Sequence, residues 1–130
     1  MFIDSSALVA IFLSEPEMPD LRLKLGQGPN YASAMVFYES ALAVMRVNQK
    51  SFDAVSSEMK RLIHVLQIEF VSIDEQHAVI AVEAFARFGK GRHPAKLNMG
   101  DCFSYACAKL LDVPLLFKGN DFSQTDIRIA

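Results

Sequence analysis

The chain has 130 residues, 52% of them hydrophobic, which is enough for one domain with its own core and too few for two. Its formal net charge is −2, from 13 basic and 15 acidic side chains, so it is not a uniformly basic nucleic-acid binder. The longest strictly apolar run, Ala7 to Leu13, is far short of a membrane span, and the opening Met-Phe-Ile-Asp lacks the pattern of a secretory signal. A single cytoplasmic domain over residues 1–130 is therefore expected.

From the start, Met1-Phe2-Ile3 followed by Asp4 and Ser5-Ser6 reads as strand, acid and helix cap. Ser5 or Ser6 is expected to cap a helix through Leu13. Glu15-Pro16 and Met18-Pro19 should end it, because proline cannot donate to a continuing helix. A short helix through Leu21, Leu23 and Leu25 follows, and Gly26-Gln27-Gly28-Pro29-Asn30 is a turn.

Tyr31 to Ala34 is the expected second strand, and the alanine-rich stretch to about Val47 is helical. Phe52, Val55, Met59, Leu62, Ile63 and Leu66 recur at three and four residues and define an amphipathic helix. Ile68, Phe70 and Val71 give a compact strand. Asp74 is placed to cap a helix through Ala78, Val82, Phe85 and Phe88, which Gly89-Lys90-Gly91-Arg92-His93-Pro94 breaks. Gly100 to Leu111 is the last helix, with Cys102, Phe103, Ala106, Cys107 and Leu110 on its inner face. Leu115 to Phe117 is a strand, and Ile127 to Ile129 adds an edge. Alternating strands and helices imply a largely parallel sheet covered on both faces. Cys102 and Cys107 point apart on one helix and read as buried free thiols rather than a disulfide or a zinc clamp.

Four acids stand beside apolar sequence, where an unpaired charge is costly: Asp4 and Asp121 beyond strands, Glu39 on a helical face, and Asp101 at a helix start. Helical spacing sets Glu39 between Met35 and Leu42 with Ala43, so it serves either a charged site or an internal ion pair with Arg46. Asp101 also fits a plain first-turn acid, and Asp4 and Asp121 fit ordinary turns. Taken jointly, two acids at strand ends and two on helices above those ends point to a divalent cation. Carboxylate oxygens without clustered histidine or thiolate suit Mg²⁺ or Mn²⁺ rather than zinc. Setting those four acids aside leaves eleven against thirteen bases, and Arg87, Lys90, Arg92, His93 and Lys96 crowd one short stretch that could hold phosphates.

The order of these acids and the residues around them resemble the PIN-domain ribonucleases, and among them the VapC toxins of bacterial toxin–antitoxin pairs. Met1-Phe2-Ile3-Asp4-Ser5-Ser6-Ala7-Leu8 looks like the family's first motif and Tyr38-Glu39 its second. Asn98-Met99-Gly100-Asp101-Cys102-Phe103-Ser104-Tyr105-Ala106 resembles the third, and Leu115-Leu116-Phe117-Lys118-Gly119-Asn120-Asp121-Phe122 the fourth. The resemblance runs the whole chain. It implies a three-layer α/β/α sandwich around a central, largely parallel sheet. It further implies a Mg²⁺-dependent cleavage of RNA by water, a VapB-type antitoxin as inhibitor, and a homodimer. Asp4 and Asp101 would hold one ion directly, with Glu39 and Asp121 completing the pocket. Asn120 stands where some relatives carry another acid, which bears on a second ion. Ser6 and Asn98 are candidates to orient water or phosphate, against a role in helix capping alone. Arg92 and Lys96 are candidates for backbone contacts, against a merely solvated loop. A degenerate PIN domain serving only as an RNA-binding scaffold is the alternative, and the presence of all four acids argues against it.

Overall fold

The computed structural model describes all 130 residues. In chain order the elements are β1 (Phe2–Ile3), α1 (Ser5–Phe12), α2 (Met18–Leu25), β2 (Asn30–Ser33), α3 (Ala34–Asn48), α4 (Phe52–Val65), β3 (Ile68–Val71), α5 (Glu75–Phe88), α6 (Met99–Leu110) and β4 (Leu115–Leu116), followed by a 3-10 turn at Phe122–Gln124. The four strands form one parallel sheet in the order β3-β2-β1-β4. The chain winds outward from β1 through β2 to β3, then returns to lay β4 on the other side of β1. Right-handed crossovers therefore place α1 to α4 on one face and α5 with α6 on the other, the three-layer sandwich expected. The reversal lies between β1 and β4, and open parallel sheets hold their ligands beyond the carboxyl ends of strands at such a point.

β1 and β4 are two residues each, and every residue in them is apolar. Phe2, Ile3, Leu115 and Leu116 are all buried, and α1 beside them sinks Ala7, Leu8, Ala10 and Ile11 into the same core. α6 is small and thiol-rich where it packs, with Cys102, Ala106, Cys107 and Ala108 buried and no disulfide. Burial raises both thiols, to about 11 for Cys102 and about 12 for Cys107, so neither is a ready nucleophile. At the start of β2, buried Asn30 donates through Nδ2 to the carbonyls of Leu25 (3.1 Å) and Leu66 (3.2 Å), stitching the ends of α2 and α4 to that strand. No helix is long and apolar enough to cross a membrane.

Several boundaries differ from the sequence expectation. The cap of α1 is Asp4, whose side chain accepts from the Ser6 amide, and not Ser5 or Ser6. Met18-Pro19 opens α2 instead of closing α1, because a proline in the first turn forfeits only an amide that has no helical partner. Ala34 belongs to α3, which Ser33 caps. The segment Ile127 to Ile129 adds a single parallel bridge from Ile129 to Leu115 and no full strand. On α6, Phe103 and Leu110 are only half-buried, while Ser104 and Tyr105 are buried, since α5 covers one flank of this helix and the sheet another. Val79 and Val82 of α5 with Met99 of α6, each more than 60% exposed, form an open apolar surface.

A candidate metal-binding acid cluster

Asp4 sits where β1 ends. Its amide donates to Leu116 O (2.9 Å), so the residue is fixed beside β4 at the sheet reversal. The residue is 1% exposed. One oxygen, Oδ2, accepts from the Ser6 amide (2.9 Å) and the Ser6 hydroxyl (2.6 Å). The other, Oδ1, is buried and has no hydrogen-bond partner. A buried carboxylate oxygen left bare in this way is costly unless something positive meets it.

Asp101 enters from α6 through a reciprocal cap. Asn98 Oδ1 accepts from the Asp101 amide (3.0 Å), and Asp101 Oδ2 accepts from the Asn98 amide (2.8 Å). The capping role read from the sequence is real, and it coexists with membership of the acid cluster because it occupies only one of the two oxygens. Burial pushes the Asp101 carboxyl up to about 7, and the charges of Asp4, Glu39 and Asp121 add to that push.

Glu39 projects from α3 toward the start of α6. Gly100 makes this approach feasible, because a β-carbon at that position would overlap the Glu39 carboxylate. Burial raises the Glu39 carboxyl, the Ser5 hydroxyl partly offsets this, and the charge of Asp4 raises it further. The ion pair with Arg46 does not form, since Arg46 lies exposed and no basic side chain comes within 4.0 Å of any of the four acids. Asp121 is the outlier. It is exposed and lies five residues beyond β4, so the cost of burial that singles out the other three does not apply to it. Only its field reaches Asp101.

The nearest strand-end cation is drawn elsewhere. Lys118 pairs with Glu15 and, at 3.2 Å, with Glu17, while its amide donates to the Ser6 hydroxyl (3.0 Å). Ser6 thus ties three things together: the helix start, the Asp4 carboxylate and the loop that carries Asp121. The four acids share one electrostatic field but form no closed cage, for no three acidic, thiol or imidazole groups converge tightly enough to enclose an ion. The bare Asp4 Oδ1, the free oxygen of Asp101 and the all-carboxylate donor set fit a hard divalent cation. Of the remaining sequence candidates, Ser6 and Asn98 orient acids of the cluster, whereas Arg92 and Lys96 stand exposed on the loop between α5 and α6. The roles of Gly100 and Lys118 were missed; the signal for the first was a residue without a side chain next to an acid at a helix start.

Without divalent cation, Asp101 keeps its proton up to about pH 7 in the folded chain, whereas an unfolded aspartate releases it near ~3.9. The folded state then binds more protons across that window, so stability falls as pH rises through it. Glu39 acts in the same direction. The lowered acids Glu17, Asp74 and Asp126 lose their contribution only below the unfolded carboxylate range. In EDTA the melting temperature should be higher at pH 5 than at pH 8, and Asp101→Asn should shrink the difference. Equal melting temperatures for the unsubstituted protein at both pH values would contradict this.

Residues 1–128 match the PIN domain family. A VapC ribonuclease of Mycobacterium bovis is 37% identical over 131 aligned positions, covering 100% of this chain and 98% of the relative. Among solved structures, VapC20 of Mycobacterium tuberculosis, described as a sarcin-ricin loop cleaving toxin, superposes with a TM-score of 0.77 at 14% identity, covering 99% of this chain and 97% of the other. A toxin–antitoxin complex from Klebsiella pneumoniae contains a chain matched at TM-score 0.70 and 17% identity, with 99% and 95% covered. The full-length match in sequence, together with the acids gathered at the sheet reversal, shows that the chain belongs to the VapC ribonucleases of the PIN domain family.

Proposed function

We propose that this protein is a Mg²⁺- or Mn²⁺-dependent endoribonuclease, the toxin of a toxin–antitoxin pair. The observation that carries the reading is the acid cluster itself: four carboxylates in one field, none paired with a basic side chain, and one buried oxygen of Asp4 bare. Asp4 Oδ1 and the free oxygen of Asp101 would hold the ion, and Glu39 and Asp121 would flank it. A bound divalent cation supplies acidity to water and neutralises charge gathering on a phosphate.

The chain's own residues do the rest. Ser6 and Asn98 each hold one oxygen of an acid and so aim the other. Gly100 lets the Glu39 carboxylate approach the mouth of α6, where its raised affinity for a proton suits it to exchange one with water. Because water is the attacking group, the products carry 5′-phosphate and 3′-hydroxyl ends. Asp4→Asn and Asp101→Asn should each lower Mg²⁺-dependent RNA cleavage by on the order of 10²–10³-fold, the several kcal/mol that a metal contributes to such a reaction. Circular dichroism should show both folds intact. Full cleavage by either variant would refute the assignment.

The same reading includes a silencing partner of the VapB type, as the Klebsiella pneumoniae neighbour suggests. A cleft of ≈ 470 Å³ lies at the carboxyl end of α1, floored by Ile11, Phe12, Leu62 and Val65 and edged by Arg22 and Arg61. It suits an amphipathic helix with acids toward those two arginines. α1 is only about 12 Å long, so a tail leaving that helix reaches the acid cluster at its other end. An arginine there would fork onto the carboxylates in competition with the cation. Inhibition by the partner should weaken as Mg²⁺ rises at fixed ionic strength. Equal inhibition at every Mg²⁺ concentration would contradict the competition.

A further inference from the structure

The loop from Gly89 to Asn98 carries cations that the fold does not use. Arg87, Lys109 and Lys118 each have an acidic partner, yet Lys90, Arg92 and Lys96 have none within 4.0 Å. All three are exposed. With Gly91, His93 and Pro94 they line a concavity of ≈ 520 Å³ that contains no hydrophobic residue.

This is not a loosely solvated turn. Its two ends are bridged by Lys90 N donating to Leu97 O (3.0 Å) and Leu97 N to Phe88 O (3.0 Å), and Ala95 and Leu97 are fully buried plugs. Between them, the amides of Arg92 and His93 both donate to Gly89 O, and the backbone turns through left-handed residues at Gly91 (φ 83°) and Lys96 (φ 52°). The Arg92 guanidinium lies 5.7 Å from the centre of the Phe85 ring. His93 Nδ1 accepts from the Ala95 amide (3.1 Å), which leaves its Nε2 as the outward donor. Cations presented by a braced frame lose little freedom on meeting an anion.

The position matters as much as the charge. The loop runs directly into Asn98, the cap of the helix that carries Asp101. At most ~18 Å of chain separates Lys96 from Asp101. An extended polyanion lying over the acid cluster would pass this loop within a few of its own charges, while a lone phosphate could not occupy both.

We infer that the Lys90–Lys96 loop is a clamp for the phosphodiester backbone of RNA, holding phosphates beside the scissile one and contributing affinity without taking part in the chemistry. The inference rests on the nuclease reading and adds to it where the strand runs. In metal-free solution the acid cluster repels phosphate, so attraction for RNA must come from cations elsewhere.

The test is fluorescence anisotropy of a labelled, mixed-sequence single-stranded RNA in EDTA across a range of KCl. The triple variant Lys90→Gln, Arg92→Gln, Lys96→Gln should weaken binding roughly tenfold or more at low salt and reduce the slope of log affinity against log salt by about 2, near 0.7 for each lost phosphate contact. Arg92→Lys should keep the slope. Should the triple variant fold poorly, the singles Lys90→Gln and Lys96→Gln, both at exposed unpaired positions, should each reduce it by about 0.7. Unchanged affinity and slope in the variants overturns the clamp, as does an unsubstituted protein that binds no RNA at low salt. Cleavage with Mg²⁺ on the same preparations separates the two readings. Binding through the loop without any cleavage refutes the nuclease alone, and cleavage with unchanged binding in the triple variant refutes the clamp alone.

Discussion

Burial of the carboxylates of Asp4, Glu39 and Asp101 without a basic partner, with mutual repulsion and the field of Asp121 added to it, is the constraint around which the site is arranged. Like charges in a partly buried site normally relax by moving apart, by taking protons or by recruiting a basic side chain. Here the first is restrained by the frame and the third is absent. Asp4 is pinned between β1 and β4, Asp101 is locked by its cap, and Glu39 is held on a helix packed against α6. What remains is protonation, favoured at Glu39 and Asp101 by burial first and by the neighbouring charges second, or an external cation.

The fold supplies this frame cheaply because the topology reverses at β1. Any residue just past β1 or β4 falls at the sheet's carboxyl edge, and the amino ends of α1 and α6 open there too. Caps of those helices are therefore already at the site. Asp4 and Asn98 serve both purposes, ending an element and shaping the acid cluster, so local folding and chemistry draw on the same hydrogen bonds. Ser6 extends the economy by fastening the loop after β4 to the first acid through one hydroxyl.

The alternation of helices and strands was readable because apolar periodicity is strong in α4 and α5 and because glycine and proline punctuate the chain. The four acids were readable by their apolar neighbours and by family motifs. What escaped depended on three-dimensional partners. Pro19 could end one helix or begin the next, and it falls in the first turn of α2, where its missing amide has no helical partner to lose. Ala7, Leu8 and Ile11 of α1 are apolar in sequence just as Val79, Val82 and Phe85 of α5 are, yet the former cover the short β1 and β4 strands and are buried while the latter stay exposed, a difference only the packing reveals. Arg46 stood at helical spacing from Glu39, yet two helical turns separate them along α3 and Gly100 opens a nearer place for the carboxylate. Exposure of Asp121 was equally hidden, since sequence shows a strand before it but not how far the following loop departs.

The cluster is proposed to hold a divalent cation. The most direct test is the anomalous scattering of Mn²⁺ in crystals of the protein, which locates the ion without reference to activity. One strong peak touching Asp4 Oδ1 and the Asp101 carboxylate is expected, at oxygen distances close to the roughly 2.0–2.1 Å of a small hard cation. Manganese bound only at other carboxylates, or nowhere at millimolar concentration and neutral pH, would contradict it.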